Sequence, residues 1–157
     1  LTAEGIILEA MKQGDAGIES RFSVVTGFGR CGKALAAKLQ SMGSVVLVAD
    51  RKEQKREEAE KQGYLSCNLE QVKEWIGKCD FLFNTIPVPV IGVPVLDQVR
   101  EKTILFDIAS KPGGIDFDYC NNRKIKADIY PGLPGKYAPK RAAEILLKVI
   151  EETISGR

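Results

Sequence analysis

At 157 residues, with mixed charges summing to +2, the chain is long enough for one domain with a full core and carries no basic stripe of the kind that tracks nucleic acid. Its apolar runs fall far short of the ~20 residues needed to cross a bilayer, so a soluble, cytoplasmic protein with neither a nucleic-acid nor a membrane partner is expected. Four scattered cysteines (Cys31, Cys67, Cys79, Cys120) and no histidine leave no metal-ligand spacing, so no metal is expected. Any proton transfer must then use Asp, Glu, Lys, Cys, Tyr or a group supplied from elsewhere.

The first dozen residues place Ala3, Ile6, Ile7, Ala10 and Met11 at helical spacing, with Thr2 as the cap. A helix ahead of the first strand is not part of a minimal dinucleotide-binding unit. Residues 1–14 are therefore read as a crossing helix that packs across the sheet edge or leads from a preceding domain, and residues 15–157 as the domain proper. The start at Leu1 rather than Met is read as an excised fragment, with a processed or tag-cleaved full protein as the alternative.

Phe22 to Thr26 is a β-rich run that leads directly into Gly27-Phe28-Gly29-Arg30-Cys31-Gly32, which opens a helical pattern ending near Met42. A second β-branched run, Val45 to Val48, stops at Asp50. Strand, glycine turn, helix, strand and acidic residue follow in the order that a dinucleotide-binding unit needs. Gly27 permits the tight turn, Gly29 lets a diphosphate approach the backbone, and Gly32 lets the helix pack close to the strand. The helix start offers free amides and the positive end of its dipole to the phosphates. Asp50 stands near the roughly 20-residue spacing at which a carboxylate takes the adenosine ribose. Arg51 flanks the same position, where a cation holds a 2′-phosphate. Asp50 pulls toward NAD and Arg51 toward NADP, and the balance tips slightly to NADP.

From Lys55 to Lys61 opposite charges recur three and four apart, the pattern of a solvated helix that Gly63 ends. Tyr64 to Ser66 is a weak third strand. Leu69 to Ile76 is a short amphipathic helix with Leu69, Val72, Trp75 and Ile76 turned inward, and Trp75 is read as core. Asp80 to Pro87 is a buried strand with a Thr85-Ile86-Pro87 exit; ligands of open α/β sheets lie beyond the carboxyl ends of strands, so these three residues belong on the cofactor side. Prolines 87, 89 and 94 argue against helix from Val88 to Pro94, which reads as a loop followed by a short helix to Arg100. Thr103 to Ile108 is a fifth strand. It empties into a loop with Ser110, Lys111, Gly113 and Gly114, which reads either as a strand-to-helix turn capped by Asp116 or as a substrate loop. Ile125 to Ile129 is a sixth strand, followed by a second glycine-rich loop, Tyr130 to Pro139. A last helix from Pro139 to about Ile154 is expected to bury Ala142, Ile145, Leu146, Val149 and Ile150. The whole reads as an α/β protein: a Rossmann-type, doubly wound parallel sheet of about six strands in three α/β/α layers.

The run Thr2 to Gly5, the Gly27 to Gly32 turn, the exit Asn84 to Pro87, the loop Asp107 to Phe117 and the segment Pro131 to Gly135 with Ala138-Pro139 together resemble the A subunit of dipicolinate synthase, in its carboxyl-terminal, dinucleotide-binding half. The loops around Lys111 and Lys136 are the most specific part of this resemblance. The resemblance implies a sporulation enzyme of the mother-cell cytoplasm. It would use NAD or NADP to oxidise dihydrodipicolinate, or its hydrated precursor, to dipicolinate, working with a B subunit. Aromatisation supplies much of the driving force, so the lack of histidine is no obstacle. A small dicarboxylate substrate wants cations. Arg30 and Lys111, with Gly113 and Gly114 allowing close approach, are the candidates for holding it, and Ser110 and Lys111 are the catalytic candidates. Lys136 and Lys140 are better read as solvated. Homo-oligomerisation stays open, and the fragment alone is expected to be inactive. The rival readings are a 2-hydroxyacid dehydrogenase relative of other substrate, which would normally need a histidine, and a nucleotide-binding module without catalysis.

Overall fold

A computed structural model describes residues 2–15 and 17–156; Leu1 and Arg157, the outer limits of the expected domains, lie outside the described residues, as does Ala16. Six strands form one all-parallel sheet: β1 Phe22–Thr26, β2 Val45–Ala49, β3 Leu65–Cys67, β4 Phe81–Asn84, β5 Ile104–Asp107 and β6 Lys126–Ile129. Their spatial order is β3-β2-β1-β4-β5-β6. The chain therefore builds outward from β1 in one direction and then returns to its other side, and the reversal between β1 and β4 makes the crevice in which such folds bind ligands.

The strands read as near-continuous apolar runs because both faces are covered. Alternate residues go to opposite sides. Val25, Val48, Phe83 and Phe106 pack under α1 (Thr2–Gln13), α2 (Arg30–Ser41) and α3 (Glu53–Lys61). Val24, Leu47, Leu82 and Leu105 pack under α4 (Val72–Trp75), α5 (Val93–Leu96) and α6 (Phe117–Arg123). Helix α1 lies on the face of the sheet rather than across its edge: Ala3, Ile6, Ile7 and Ala10 share a cluster with Phe81, Phe83 and Phe106. Met11, which shares their helical spacing, is 42% exposed. Thr2 is the first residue of the helix rather than its cap.

Local chemistry moves other boundaries. Pro94 sits in the first turn of α5, where its missing N–H costs nothing, so the helix starts inside the expected loop. Asp116 caps α6 by accepting from the Tyr119 amide at 3.0 Å. The expected helix at residues 69–76 is one α-turn between two 3-10 turns, with Trp75 half-buried and stacked on Phe22. The segment after β6 is not all loop: Gly132 in a left-handed conformation and Pro134 in the first turn start α7, Leu133–Tyr137, which packs on α1.

The largest departure is α8, Pro139–Ile154. The burial expected of Ala142, Ile145, Leu146, Val149 and Ile150 does not occur: Ala142 is half-buried, and the other four are 43–61% exposed. Helix α8 leans chiefly on the short α7, and its apolar arc stays exposed among the described residues.

Candidate functional site

Each glycine of the turn after β1 meets a distinct constraint. Gly27 has φ +92°, and a Cβ there would lie 2.3 Å from Thr85 Oγ1. A Cβ on Gly32 would lie 2.0 Å from the Gly27 carbonyl oxygen, so only glycine lets α2 begin this close to the strand. At Gly29 nothing stands within 4 Å, and the backbone is open to solvent. Gly29 N-caps α2 without any side-chain cap. The amides of Gly29, Arg30, Cys31 and Gly32 find no acceptor among the described residues. Four unspent donors at the start of a twelve-residue helix form an anion seat in which the helix dipole adds to the hydrogen bonds.

The remaining sequence candidates divide by what their atoms already touch. The Phe28 ring is fully buried, edge-on to Tyr64, and its amide donates to Asp50 Oδ2 at 2.8 Å. Phe28 thus braces the turn through its ring and its amide. The other Asp50 oxygen accepts from the Lys52 amide at 2.9 Å. Asp50 therefore fixes the exit of β2 to the glycine turn while keeping lone pairs that a ribose can use. Arg30 is exposed at the helix start; Cys31 is half-buried, and that burial raises the pKa of its thiol. Thr85 Oγ1 donates to the Thr26 carbonyl at 2.8 Å, and Ile86 presses on Gly27, so the Thr85-Ile86-Pro87 exit lies against the turn with Pro87 exposed.

From Arg51 an open groove of about 490 Å3 runs between the loops that follow β2, β3 and β4, with Leu69, Val88 and Pro94 as apolar walls and Lys73 and Glu70 as charged ones. Its volume suits one end of a nucleotide, and Arg51 and Lys73 put two cations on its wall. A larger hollow of about 670 Å3 opens at the amino ends of the strands, but there Arg21 and Arg100 are paired with Asp80.

Sequence reasoning missed four residues. Arg56 was hidden in the charged segment; its Nη1 donates to the carbonyls of Asp50 at 2.9 Å and Arg51 at 2.8 Å and so clamps the β2 exit. Lys73 reaches the groove only once α4 is folded. Asp107 and Asn84 are both fully buried at strand ends. Asp107 Oδ2 accepts from the amides of Gly114 at 2.7 Å and Ile115 at 3.2 Å, and its Oδ1 accepts from Ala109 N and from Asn84 Nδ2.

That network also surrounds Gly113 and Gly114. Both are buried, and a Cβ would lie 2.5 Å from Asp107 Oδ2 at Gly113 and 2.6 Å from Asn84 Nδ2 at Gly114. The close approach they permit here is to Asp107 and Asn84. Ser110 and Lys111 stand exposed on the loop so held. Lys136 is ion-paired with Glu9 at 2.8 Å, away from the turn. All four cysteines are free thiols, and burial pushes Cys79 up to about 12 and Cys67 and Cys120 up to about 11. No cluster of metal-ligating side chains forms among the described residues, and no helix among them is long and apolar enough to cross a membrane.

An all-parallel sheet in this order, with a glycine turn and an uncapped helix at the point of reversal, defines a Rossmann-type dinucleotide-binding domain. The chain belongs to the family of D-isomer specific 2-hydroxyacid dehydrogenase NAD binding domains, whose pattern matches residues 9–109. Over nearly its whole length it is similar to the A subunit of dipicolinate synthase, as its loops lead one to expect. It is 34% identical to that protein of Bacillus subtilis (strain 168) over 154 residues, which cover 98% of this chain and 52% of the relative. The crystal structure of the dipicolinate synthase A subunit from Bacillus halodurans superposes with a TM-score of 0.94 at 36% identity over 97% of this chain, and that of its Bacillus subtilis counterpart with 0.95 at 34% over 99%. The chain spans about half the length of these relatives.

Proposed function

We propose that this chain is the nucleotide-binding part of an NAD(P)-dependent oxidoreductase that converts dihydrodipicolinate, or its hydrated precursor, to dipicolinate during sporulation, in the mother-cell cytoplasm and together with a B subunit. The observation that carries the reading is the set of four unspent amides at Gly29, Arg30, Cys31 and Gly32, where the point of sheet reversal meets an uncapped helix start. The diphosphate of NAD or NADP sits there, the adenosine end runs toward Asp50 and Arg51, and Arg51 with Lys73 accommodates a 2′-phosphate, with NADP slightly favoured. Thr85, Ile86 and Pro87 would then hold the nicotinamide end on the side of the Ser110–Lys111 loop. A bound NAD(P) would supply a hydride acceptor for the ring, with the second hydrogen leaving as a proton to solvent and, for the hydrated precursor, a water lost as well. Lys111 and Arg30 pair with the carboxylates of the substrate and hold its ring plane, and Ser110 lies beside them as a hydrogen-bonding group.

The remaining length of the relatives suggests a second domain, to which α1 leads and against which the apolar arc of α8 packs. The exposed Leu146, Leu147 and Ile150 support that placement. A cleft between the two domains would complete the site.

The protein carrying this domain, mixed with dihydrodipicolinate and the B subunit, is expected to reduce NAD(P), followed as absorbance of the reduced nucleotide. Nucleotide binding without any reduction would favour a binding module instead. Lys111→Ala is expected to lower turnover roughly 10- to 100-fold, about 1.4 to 2.7 kcal/mol, with little change in nucleotide affinity; equal loss of both would remove Lys111 from substrate binding.

A further inference from the structure

Three strand ends that stand side by side carry one continuous row of buried polar side chains. Thr26, Asn84 and Asp107 close β1, β4 and β5, are paired in register Thr26↔Asn84↔Asp107, and are each fully buried. Thr26 Oγ1 donates to Asn84 Oδ1 at 2.7 Å, and Asn84 Nδ2 donates to Asp107 Oδ1 at 3.1 Å. From each member of the row starts one of the three loops on the ligand side: the glycine turn, the Thr85-Ile86-Pro87 exit and the Ser110–Lys111 loop.

Asp107 is the unusual member. Every partner its carboxyl group has among the described residues is an N–H, with no cation beside it, and burying such a group is tolerated only where several donors converge. Three of those donors are backbone amides of the loop itself: Ala109 at 3.0 Å, Gly114 at 2.7 Å and Ile115 at 3.2 Å. Both ends of the loop are thus tied to one side chain, and the residues left between the ties include Ser110 and Lys111, which are exposed. Asn84 fixes the neighbouring exit at the same time, giving its Nδ2 to the Ile86 carbonyl at 2.9 Å and accepting from the Ile86 amide at 3.2 Å. The Gly114 carbonyl in turn accepts from the amides of Val90 at 3.0 Å and Ile91 at 2.9 Å, which bolts the two loops together.

We infer that Asp107 is a positioning residue: through its three loop amides it sets where Ser110 and Lys111 stand relative to the nicotinamide end, and through Asn84 and Thr26 it registers that loop against the turn that seats the diphosphate. This rests on the function proposed above. Asp107 touches neither substrate nor nucleotide and acts only through the loop.

The test joins hydrogen exchange of the 157-residue chain to steady-state kinetics of the protein that carries it. Asp107→Asn keeps the shape but turns an NH2 group toward N–H donors. Peptides covering 108–116 are expected to exchange roughly tenfold faster or more, while those from β1 and β2 keep their rates. Turnover is expected to fall roughly 30-fold or more, with the KM for nucleotide within about twofold. Unchanged exchange at 108–116 overturns the inference. So does a loss of turnover matched by an equal rise in nucleotide KM, or faster exchange throughout the sheet, because each makes Asp107 a general stabiliser or a bystander. A wild type that binds nucleotide but turns nothing over overturns the proposed function instead, and the exchange rates still decide whether Asp107 sets the loop.

Discussion

The glycine turn after β1 and the glycine-bearing loop after β5 both leave the carboxyl end of a strand and both hold a pair of glycines in crowded places, yet they spend their backbone donors in opposite ways. In the first, Gly29, Arg30, Cys31 and Gly32 keep their amides for something outside the described residues. In the second, the amides of Ala109, Gly114 and Ile115 are consumed by Asp107, and Gly113 donates to the Ser110 carbonyl at 2.8 Å. Glycine content alone therefore does not mark a ligand site. Unspent donors are free to receive a ligand, whereas spent ones make a pedestal that leaves side chains, here Ser110 and Lys111, exposed on it.

Substitutions can break that contrast or sharpen it. The largest effect is expected from Gly32→Ala, because the new Cβ meets backbone, the Gly27 carbonyl oxygen at 2.0 Å, and backbone has nowhere to go. A loss of roughly 3 kcal/mol in thermal or urea unfolding is expected, with nucleotide binding abolished. Gly29→Ala, with nothing within 4 Å, should instead keep the fold and lose nucleotide affinity; equal destabilisation of the two variants would erase the distinction between a packing glycine and an open one. Asp50→Ala removes the acceptor of the Phe28 and Lys52 amides and should weaken NAD by about 1 to 3 kcal/mol in a calorimetric titration, with a smaller loss for NADP.

Alkali should act more gently. The folded pKa values of Cys79, Cys67 and Cys120, about 12, 11 and 11, lie above the ordinary thiol value of 9.0, because burial disfavours the thiolate. Unfolded thiols ionise first, so this stability is whole below pH 9 and declines as pH rises from there through the folded values. Urea midpoints measured at rising pH should fall across that window, and the fall should shrink in a Cys79→Ala background. The smallest effect is expected far from both turns. Leu146→Glu with Leu147→Glu, at positions 61% and 59% exposed, should change the stability of the 157-residue chain by no more than about 0.5 kcal/mol. A large loss would mean that α8 is covered within this domain after all.

The parts of this molecule visible in its sequence are those fixed by neighbours along the chain. The apolar runs of β1, β2, β4 and β5, the spacing of Gly27, Gly29 and Gly32, and Asp116 as a cap are all short-range features. The rest depends on contacts that exist only after folding. Asn84 and Asp107 are 23 residues apart and meet because β4 and β5 pair in register. Arg56 looks like any charge on a solvated helix until α3 brings it over the β2 exit. The periodicity of α8 was legible, but periodicity says only that a face wants cover, not whether this domain supplies it.

The claim on which the rest depends is that the unspent amides of the first turn receive a diphosphate. NADP and NAD titrated separately onto the nitrogen-labelled chain, followed by amide resonances, test it directly. Saturable shifts largest at Gly29, Arg30, Cys31 and Gly32, with those of Gly114 and Ile115 small, are the expected result. Binding that leaves the first four unmoved, or no binding of either nucleotide, would contradict it.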